Sequence, residues 1–379
     1  MSFVERYYNG ESEDSALIKE FRSYLEMETG AEIERMAQAS HRLTRERFGA
    51  TMRLFAPLYL SNECVNNCKY CGFSRDNHEI FRTTLTVEQV VKEAQYLHDQ
   101  GFRNILLVAG EHPKFVSEGY LQECIRALKG MFPTIAVEVG PMEDHQYQEL
   151  VEAGAEGLIV YQESYHKERY QELHTAGPKK KFDWRMECPE RAYRGGFRRI
   201  GIGALFGLAD WKEEALNLAR HLEYMNKTGW KALYSVAFPR MRPYAGNYQY
   251  TPDPQYFLDD KSLVKLICAF RLCFPNVGIV LSTREPAGLR DQLFKLGVTH
   301  MSAGSATEPG GYTGAGNEDI HYTVKGKRIP LEAGTKPCGA TEQFKIDDER
   351  SVAEIATLLE THGYDPVWKD WDEAILGAC

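Results

Sequence analysis

No apolar run in this 379-residue chain approaches the roughly 20 residues that a membrane-spanning helix requires. Its first residues, Met1-Ser-Phe-Val-Glu-Arg6, lack the charged and then apolar layout of a secretion signal. Together these absences predict a cytoplasmic chain with no membrane partner. Basic residues are not in excess either: 45 Lys and Arg stand against 54 Asp and Glu, and the net charge of −9 disfavours a nucleic-acid backbone as the main partner. Cysteine is sparse and odd in number, at nine, which fits a reducing compartment and predicts no disulfides.

Three of those cysteines nevertheless gather in the run Cys64-Val-Asn-Asn-Cys68-Lys-Tyr70-Cys71. A C-x3-C-x2-C triplet on one loop can hold three irons of a [4Fe-4S] cube and leave the fourth iron without a protein ligand. Such an open position binds a substrate or cofactor, whereas a cluster with four cysteines mainly passes electrons. The alternative is a zinc site completed by His78, but zinc ligands usually come as two separated pairs and the chain has no second C-x2-C. Asn, Lys and Gly around the thiols mark a loop.

The hydrophobic fraction, 43%, is ample for a large core, and it is distributed in a repeat. Apolar runs at residues 54 to 60, 104 to 109, 134 to 139, 157 to 161, 199 to 204, 232 to 238, 277 to 282 and 298 to 303 read as eight strands. Helical patterns lie between them at residues 119 to 131, 143 to 153, 211 to 228, 259 to 273 and 286 to 296, and Thr86 caps a further one that closes at Gly101. This alternation predicts an α/β fold, a (β/α)8 TIM-type barrel over residues 51 to 305. Residues 1 to 50 read as a charged helical extension that closes one end. Residues 306 to 379, irregular and Gly-rich up to about 341 and then helical from 347 to 362, read as a C-terminal extension covering the barrel.

A barrel of this kind carries its chemistry at the C-terminal ends of its strands. The cysteine loop follows the first strand, Gly110-Glu111 the second, Tyr161-Gln-Glu163 ends the fourth, Ser282-Thr-Arg284-Glu285 the seventh, and Ser302-Ala-Gly-Ser305 the eighth. The fifth runs into Gly201-Ile-Gly-Ala204-Leu-Phe-Gly207, which lacks the G-x-G-x-x-G spacing of a phosphate loop and suits the edge of an adenine or methionine pocket better. Taken singly these signals are modest: Gly110-Glu111 is equally a helix start, and Arg284 and Glu163 have the option of pairing with each other across the mouth.

In combination they are more specific. The cysteine triplet with Ala56-Pro-Leu-Tyr-Leu-Ser-Asn62 before it, Gly110-Glu-His112, Tyr161-Gln-Glu-Ser-Tyr-His166, Phe182-Asp-Trp-Arg185, Leu281-Ser-Thr-Arg-Glu285, Pro309-Gly-Gly-Tyr312 and Val367-Trp-Lys-Asp-Trp371 resemble the ThiH family, the radical S-adenosylmethionine (SAM) tyrosine lyases of thiamine biosynthesis. The resemblance spans residues 40 to the C-terminus. It implies a [4Fe-4S] cluster on Cys64, Cys68 and Cys71, SAM on the open iron, and cleavage of the Cα–Cβ bond of L-tyrosine to 2-iminoacetate and p-cresol. It also implies a flavodoxin or ferredoxin type electron donor and a complex with thiazole synthase, ThiG. The related hydrogenase maturase HydG carries a second cysteine triplet at its C-terminus, where this chain has only the distant Cys338 and Cys379. A tryptophan lyase of the same chemistry and a non-enzymatic iron-sulfur protein are the other readings. Position under the resemblance assigns Glu111 and Glu163 to the SAM amino group and ribose, Arg185 to its carboxylate, and Tyr70, Gly201 and Ala204 to the flanks of its adenine. Arg284, with Ser302 and Ser305, is expected to hold the tyrosine carboxylate in a bidentate fork. Tyr59 and His112 are weaker candidates for substrate contact or proton transfer.

Overall fold

A computed structural model describes residues 2–8, 13–246, 250–332, 334 and 337–368. Strands Asn104–Ala109 and Arg199–Ala204 fall where the apolar runs place them, and Thr134–Glu138, Gly157–Glu163, Leu233–Ala237, Gly278–Leu281 and His300–Ser302 differ from expectation only at their ends. All belong to one curled parallel sheet in which each strand pairs with the next of the series. Leu, Ile and Val on both faces bury it between the barrel interior and the outer helices, as a parallel sheet requires.

The first strand departs from the expected single run of residues 54 to 60. It is two strands, Thr51–Phe55 and Pro57–Ser61, broken at Ala56. Pro57 has no N–H to give to the ladder, so the pairing changes partner there. Thr51–Phe55 pairs with His300–Ser302, and Pro57–Ser61 with Asn104–Ala109, so continuous chain through Ala56 joins the two ends of the sheet. A further strand unforeseen in the sequence, Asp365–Val367, lies parallel to Thr51–Phe55. The carbonyl of Trp368 then accepts from the Arg103 N–H at 3.1 Å and the Asn104 side-chain amide at 3.2 Å. This late segment therefore fills the gap that the switch at Ala56 leaves between the first and second strands.

Outer helices follow local chemistry. In Val87–Asp99 the capping box of Thr86 and Gln89 supplies the orphan N-terminal groups, Val90, Ala94 and Leu97 face inward, and Gly101 takes φ 104° just beyond the end. Between the fourth and fifth barrel strands the chain forms three short helices that no apolar periodicity announced, Lys167–Leu173, Phe182–Met186 and Cys188–Arg194. The N-terminal helices Ala16–Leu25 and Gly30–Phe48 pack on the outer helix Asp260–Cys273. There the Phe21 ring meets Phe270 edge-on at 4.8 Å, and Ser40 donates to the Leu296 carbonyl just before the last barrel strand.

After His300–Ser302 the chain turns back over the mouth. Glu93, buried on the helix Val87–Asp99, accepts from the backbone N–H of Tyr312 at 2.9 Å and of Thr313 at 2.7 Å. Tyr312 in turn donates its hydroxyl to the Pro57 carbonyl at 2.6 Å. Further along, Thr341, Gln343 and Lys345 bond to Phe81, Thr307 and Pro243 through their backbone N–H groups. A short antiparallel hairpin, His321–Val324 with Lys327–Pro330, sits in this segment. No helix among the described residues is long and apolar enough to cross a membrane.

Phe21 is fully buried between two helices, so Phe21→Ala should lower stability by about 3–5 kcal/mol in urea titration. Glu93→Ala should leave that stability within about 2 kcal/mol of wild type yet speed limited proteolysis within residues 306–345, because the strap loses two backbone anchors.

Candidate active site

The cysteine loop leaves the strand Pro57–Ser61 and is gathered around one buried guanidinium. Arg82, 1% exposed, donates to the carbonyls of Asn62 at 2.5 Å, Phe73 at 3.2 Å, Ser74 at 2.7 Å and Asn77 at 3.2 Å. Four carbonyls from both ends of one loop thus converge on a single planar donor. Burial pulls the Arg82 pKa down, opposed by the charges of Glu63 and of the loop thiols. Glu63 accepts from His321 and from the Thr323 hydroxyl, both at 2.7 Å, which ties the loop to the C-terminal hairpin. Burial works to raise the Glu63 pKa, and these hydrogen bonds with the Arg82 charge more than offset it, leaving the carboxyl below its ordinary range.

Cys68 is buried and Cys64 and Cys71 are half-buried. Burial raises the Cys64 and Cys68 thiol pKa values, and the neighbouring thiols add to the effect. Asn66 donates its backbone N–H to Cys64 Sγ at 3.4 Å, and its side-chain amide donates to Glu111 at 2.7 Å, joining the loop to the end of the second barrel strand. Among the described residues no three His, Cys, Asp or Glu side chains converge as a single ion requires, and His78 is exposed. Three thiols at this spacing on one loop are the donor set that suits a [4Fe-4S] cluster with one iron left open.

Beside the thiols lies a buried charge cluster. Glu163 takes φ 74°, a left-handed value uncommon for a side chain with a Cβ, at a bulge where Tyr161 and Glu163 face Gly203 and Ala204. The bulge aims its carboxylate at Lys179, 2.7 Å away, and Arg185, 3.3 Å away. Burial alone would raise the Glu163 pKa; the two cations bring it below the usual range. Arg185 also donates Nε to the Tyr161 carbonyl at 2.7 Å. Tyr70 packs with Cys68, Leu173, Leu205 and Leu208. Its hydroxyl donates to His174 Nε2 at 2.6 Å, since His174 Nδ1 faces the Tyr170 carbonyl and must be the donor. Burial, with Lys179 nearby, holds His174 neutral with a pKa near 3.

A cavity with about 850 Å³ of empty space, part of it open to solvent, occupies the barrel mouth. Pro57, Leu106, Val108, Phe238 and Leu281 form its apolar wall, and Tyr59, Glu138, Tyr161, Arg284, Ser302 and Ser305 its polar one. Arg284 stacks on the Phe344 ring at 3.4 Å and donates to the Arg240 carbonyl at 3.5 Å, and among the described residues no carboxylate stands at ion-pair distance from it. The pair with Glu163 across the mouth does not form, because Lys179 and Arg185 occupy Glu163. Ser305 Oγ is buried without a partner among the described residues, whereas Ser302 Oγ accepts from the Thr283 N–H at 2.9 Å and keeps its proton and one lone pair. Tyr59 donates to Gln343 Oε1 at 2.7 Å, and Gln343 Nε2 reaches Cys71 Sγ at 3.7 Å, so one strap residue touches both cavity and thiol loop.

The other residues singled out in the sequence lie around the strands and the cavity. Gly201 lies inside its strand, where a Cβ would come within 2.5 Å of Ile159, a packing constraint of the barrel interior. Ala204 is fully buried opposite Glu163. His112 sits against the Phe115 ring, away from the cavity lining. Cys338 is exposed, and Cys379 lies outside the described residues.

Comparison with known proteins bears on this arrangement. The radical SAM superfamily matches residues 58–221, and the biotin and thiamin synthesis associated domain matches residues 237–365. The 2-iminoacetate synthase of Escherichia coli (strain K12) is 40% identical over 341 residues, 90% of this chain and 83% of that protein. The chain belongs to the 2-iminoacetate synthase family. The structure of the hydrogenase maturase HydG from Carboxydothermus hydrogenoformans superposes with a TM-score of 0.81 at 35% identity, covering 94% of this chain and 76% of that one. Methylornithine synthase (PylB), at 21% identity and a TM-score of 0.70 over 94% of this chain and 96% of that one, shares the fold. As a radical SAM enzyme the family uses a [4Fe-4S] cluster and SAM.

Arg82, Lys179, Glu138 and Gln343 escaped the sequence reading: Lys179 lies in a Lys-rich run that looks solvated, and Glu138 sits in an otherwise apolar strand. Arg82→Met should leave far-UV circular dichroism unchanged. It should also cut iron retained after anaerobic reconstitution to below about half of wild type, since each buried carbonyl left without a donor costs about 1–3 kcal/mol.

Proposed function

We propose that Cys64, Cys68 and Cys71 each ligate one iron of the cluster, and that the cavity beside them holds L-tyrosine for Cα–Cβ cleavage to 2-iminoacetate and p-cresol, a carbon–carbon lyase reaction. When bound and reduced, the cluster with SAM supplies a 5'-deoxyadenosyl radical, which side chains cannot generate. The protein's share is orientation and exclusion of water. Glu111 and Glu163 serve the SAM amino group and ribose, Arg185 its carboxylate, and Tyr70 with Gly201 and Ala204 the flanks of its adenine. Arg284 carries the reading most directly. A half-buried guanidinium facing this cavity, with no carboxylate partner among the described residues, fits a ligand that brings its own, and its planar fork takes a carboxylate through two parallel hydrogen bonds. Ser305, unpartnered in the same wall, adds a further donor.

The strap of residues 306 to 345, anchored by Glu93 and carrying Gln343 into the site, supports a covering role for the C-terminal extension. The 2-iminoacetate product is an imine that water hydrolyses, and we assign ThiG as its acceptor and a flavodoxin or ferredoxin as the electron donor. The 40% identity to the 2-iminoacetate synthase of Escherichia coli over 90% of this chain supports the thiamine branch over the maturase.

Anaerobic protein reconstituted with iron and sulfide, then given SAM, dithionite and each aromatic amino acid in turn, should release p-cresol from tyrosine alone; an indole product from tryptophan would overturn the assignment. Replacing any one of the three cysteines by Ala should abolish the [4Fe-4S] paramagnetic resonance signal. Arg284→Lys should lower kcat/KM for tyrosine about 10- to 100-fold, the loss of about 1.5–3 kcal/mol of charged hydrogen bonding, while SAM affinity stays within about twofold. Unchanged tyrosine cleavage would remove Arg284 from the substrate site.

A further inference from the structure

Glu138 ends the strand Thr134–Glu138 and lines the same cavity as Arg284. Among the described residues no donor lies at hydrogen-bond distance from its carboxylate, and no cation pairs with it. The cavity thus holds two opposite charges, Glu138 and Arg284, that do not pair with each other. A half-buried carboxylate without a partner is costly, and a ligand cation in the cavity would offset that cost.

We propose that Glu138 is the binding partner of the substrate amino group, accepting a hydrogen bond from the ammonium and then taking one of its protons. This assignment rests on the tyrosine reading and deepens it. An α-amino acid carries carboxylate and ammonium on one carbon, so a cavity with one unpaired guanidinium and one unpaired carboxylate matches that pair of charges, and the apolar wall receives the aromatic side chain. Two residues beyond Glu138, a Cβ at Gly140 would meet the Glu111 side chain at 2.6 Å, and Glu111 accepts from Asn66 of the thiol loop, so the end of this strand borders the side of the mouth where that loop lies.

The proton balance is simple. One proton moves from the ammonium to the carboxylate, leaving a carboxylic acid and a neutral amine that still bears N–H bonds. Burial first, and the Glu163 charge second, raise the Glu138 pKa to about 7, against the opposing charges of Arg284, Arg185 and Lys179. Tyr59 and Tyr161, the other titratable groups coupled to it, have pKa values raised by burial and stay neutral. A carboxyl tuned near neutrality is a better proton acceptor than an ordinary one.

The test is calorimetric binding to SAM-loaded, reconstituted enzyme of three ligands: L-tyrosine, 3-(4-hydroxyphenyl)propanoate, which lacks the amine, and L-phenylalanine, which lacks the hydroxyl. Wild type should prefer tyrosine over the desamino acid by at least about tenfold. Glu138→Gln should erase most of that preference and leave the ratio of tyrosine to phenylalanine unchanged. The wild-type kcat/KM for p-cresol release should rise with pH through a step near 7, as Glu138 ionises, and the step should vanish in the variant. Glu138→Asp, which keeps the charge, should keep both the preference and the step, and decides the matter if the Gln variant fails to hold its cluster. Retention of the amine preference and pH step in Glu138→Gln, loss of both in a cluster-loaded Glu138→Asp, or a changed phenylalanine ratio pointing to the phenol would each overturn the proposal. Wild type that binds no tyrosine and makes no p-cresol would instead bring down the functional reading itself.

Discussion

One buried guanidinium organises the reactive end of this protein. The loop that bears the thiols has almost no secondary structure of its own, and Arg82 takes the place of a ladder by collecting four of its carbonyls. The arrangement is economical in donors, because a guanidinium has five N–H groups in one plane. It also brings a positive charge next to the thiols of the loop. Glu63, His321 and Thr323 extend the same network into the C-terminal hairpin, so loop and strap hold each other.

Charge pairing divides the mouth into two regions. On the thiol side, Glu163 is satisfied twice, by Lys179 and Arg185, and a left-handed backbone at a bulge is needed to aim it. Such strain persists only where the surroundings over-determine it, as two ion pairs and a ladder partner do here. In the cavity, Arg284 and Glu138 have no ion-pair partner among the described residues. The cluster at Glu163 is thus held by its own contacts, while the two cavity charges are not neutralised within the site. Gln343 spans the border, with one end on Tyr59 and the other on Cys71.

Much of the fold was legible because a parallel strand buried on both faces reads as a continuous apolar run, and NILLVA and RIGIGA do so. The break at Ala56 was not, since Leu54 to Leu60 is apolar throughout and the change of partner depends on which strand is adjacent. Asp365–Val367 was missed for a similar reason: three residues with a proline at their centre make no strand until Thr51–Arg53 lies alongside. In the site, the cysteines could be found from spacing alone. Glu138 and Arg82 could not, as a single charged residue beside a strand looks solvent-facing until the cavity or the loop closes over it.

By itself, the order of residues determined the alternation of strand and helix, the thiol triplet and the positions of polar groups at strand ends, because each is a local or periodic property. Tertiary structure alone decided who pairs with whom. Whether Glu163 meets Arg284 or Lys179, and whether Arg82 is a surface cation or the clasp of a loop, depends on contacts between segments far apart in the chain. Those contacts are set by how the barrel closes, and no local pattern encodes them.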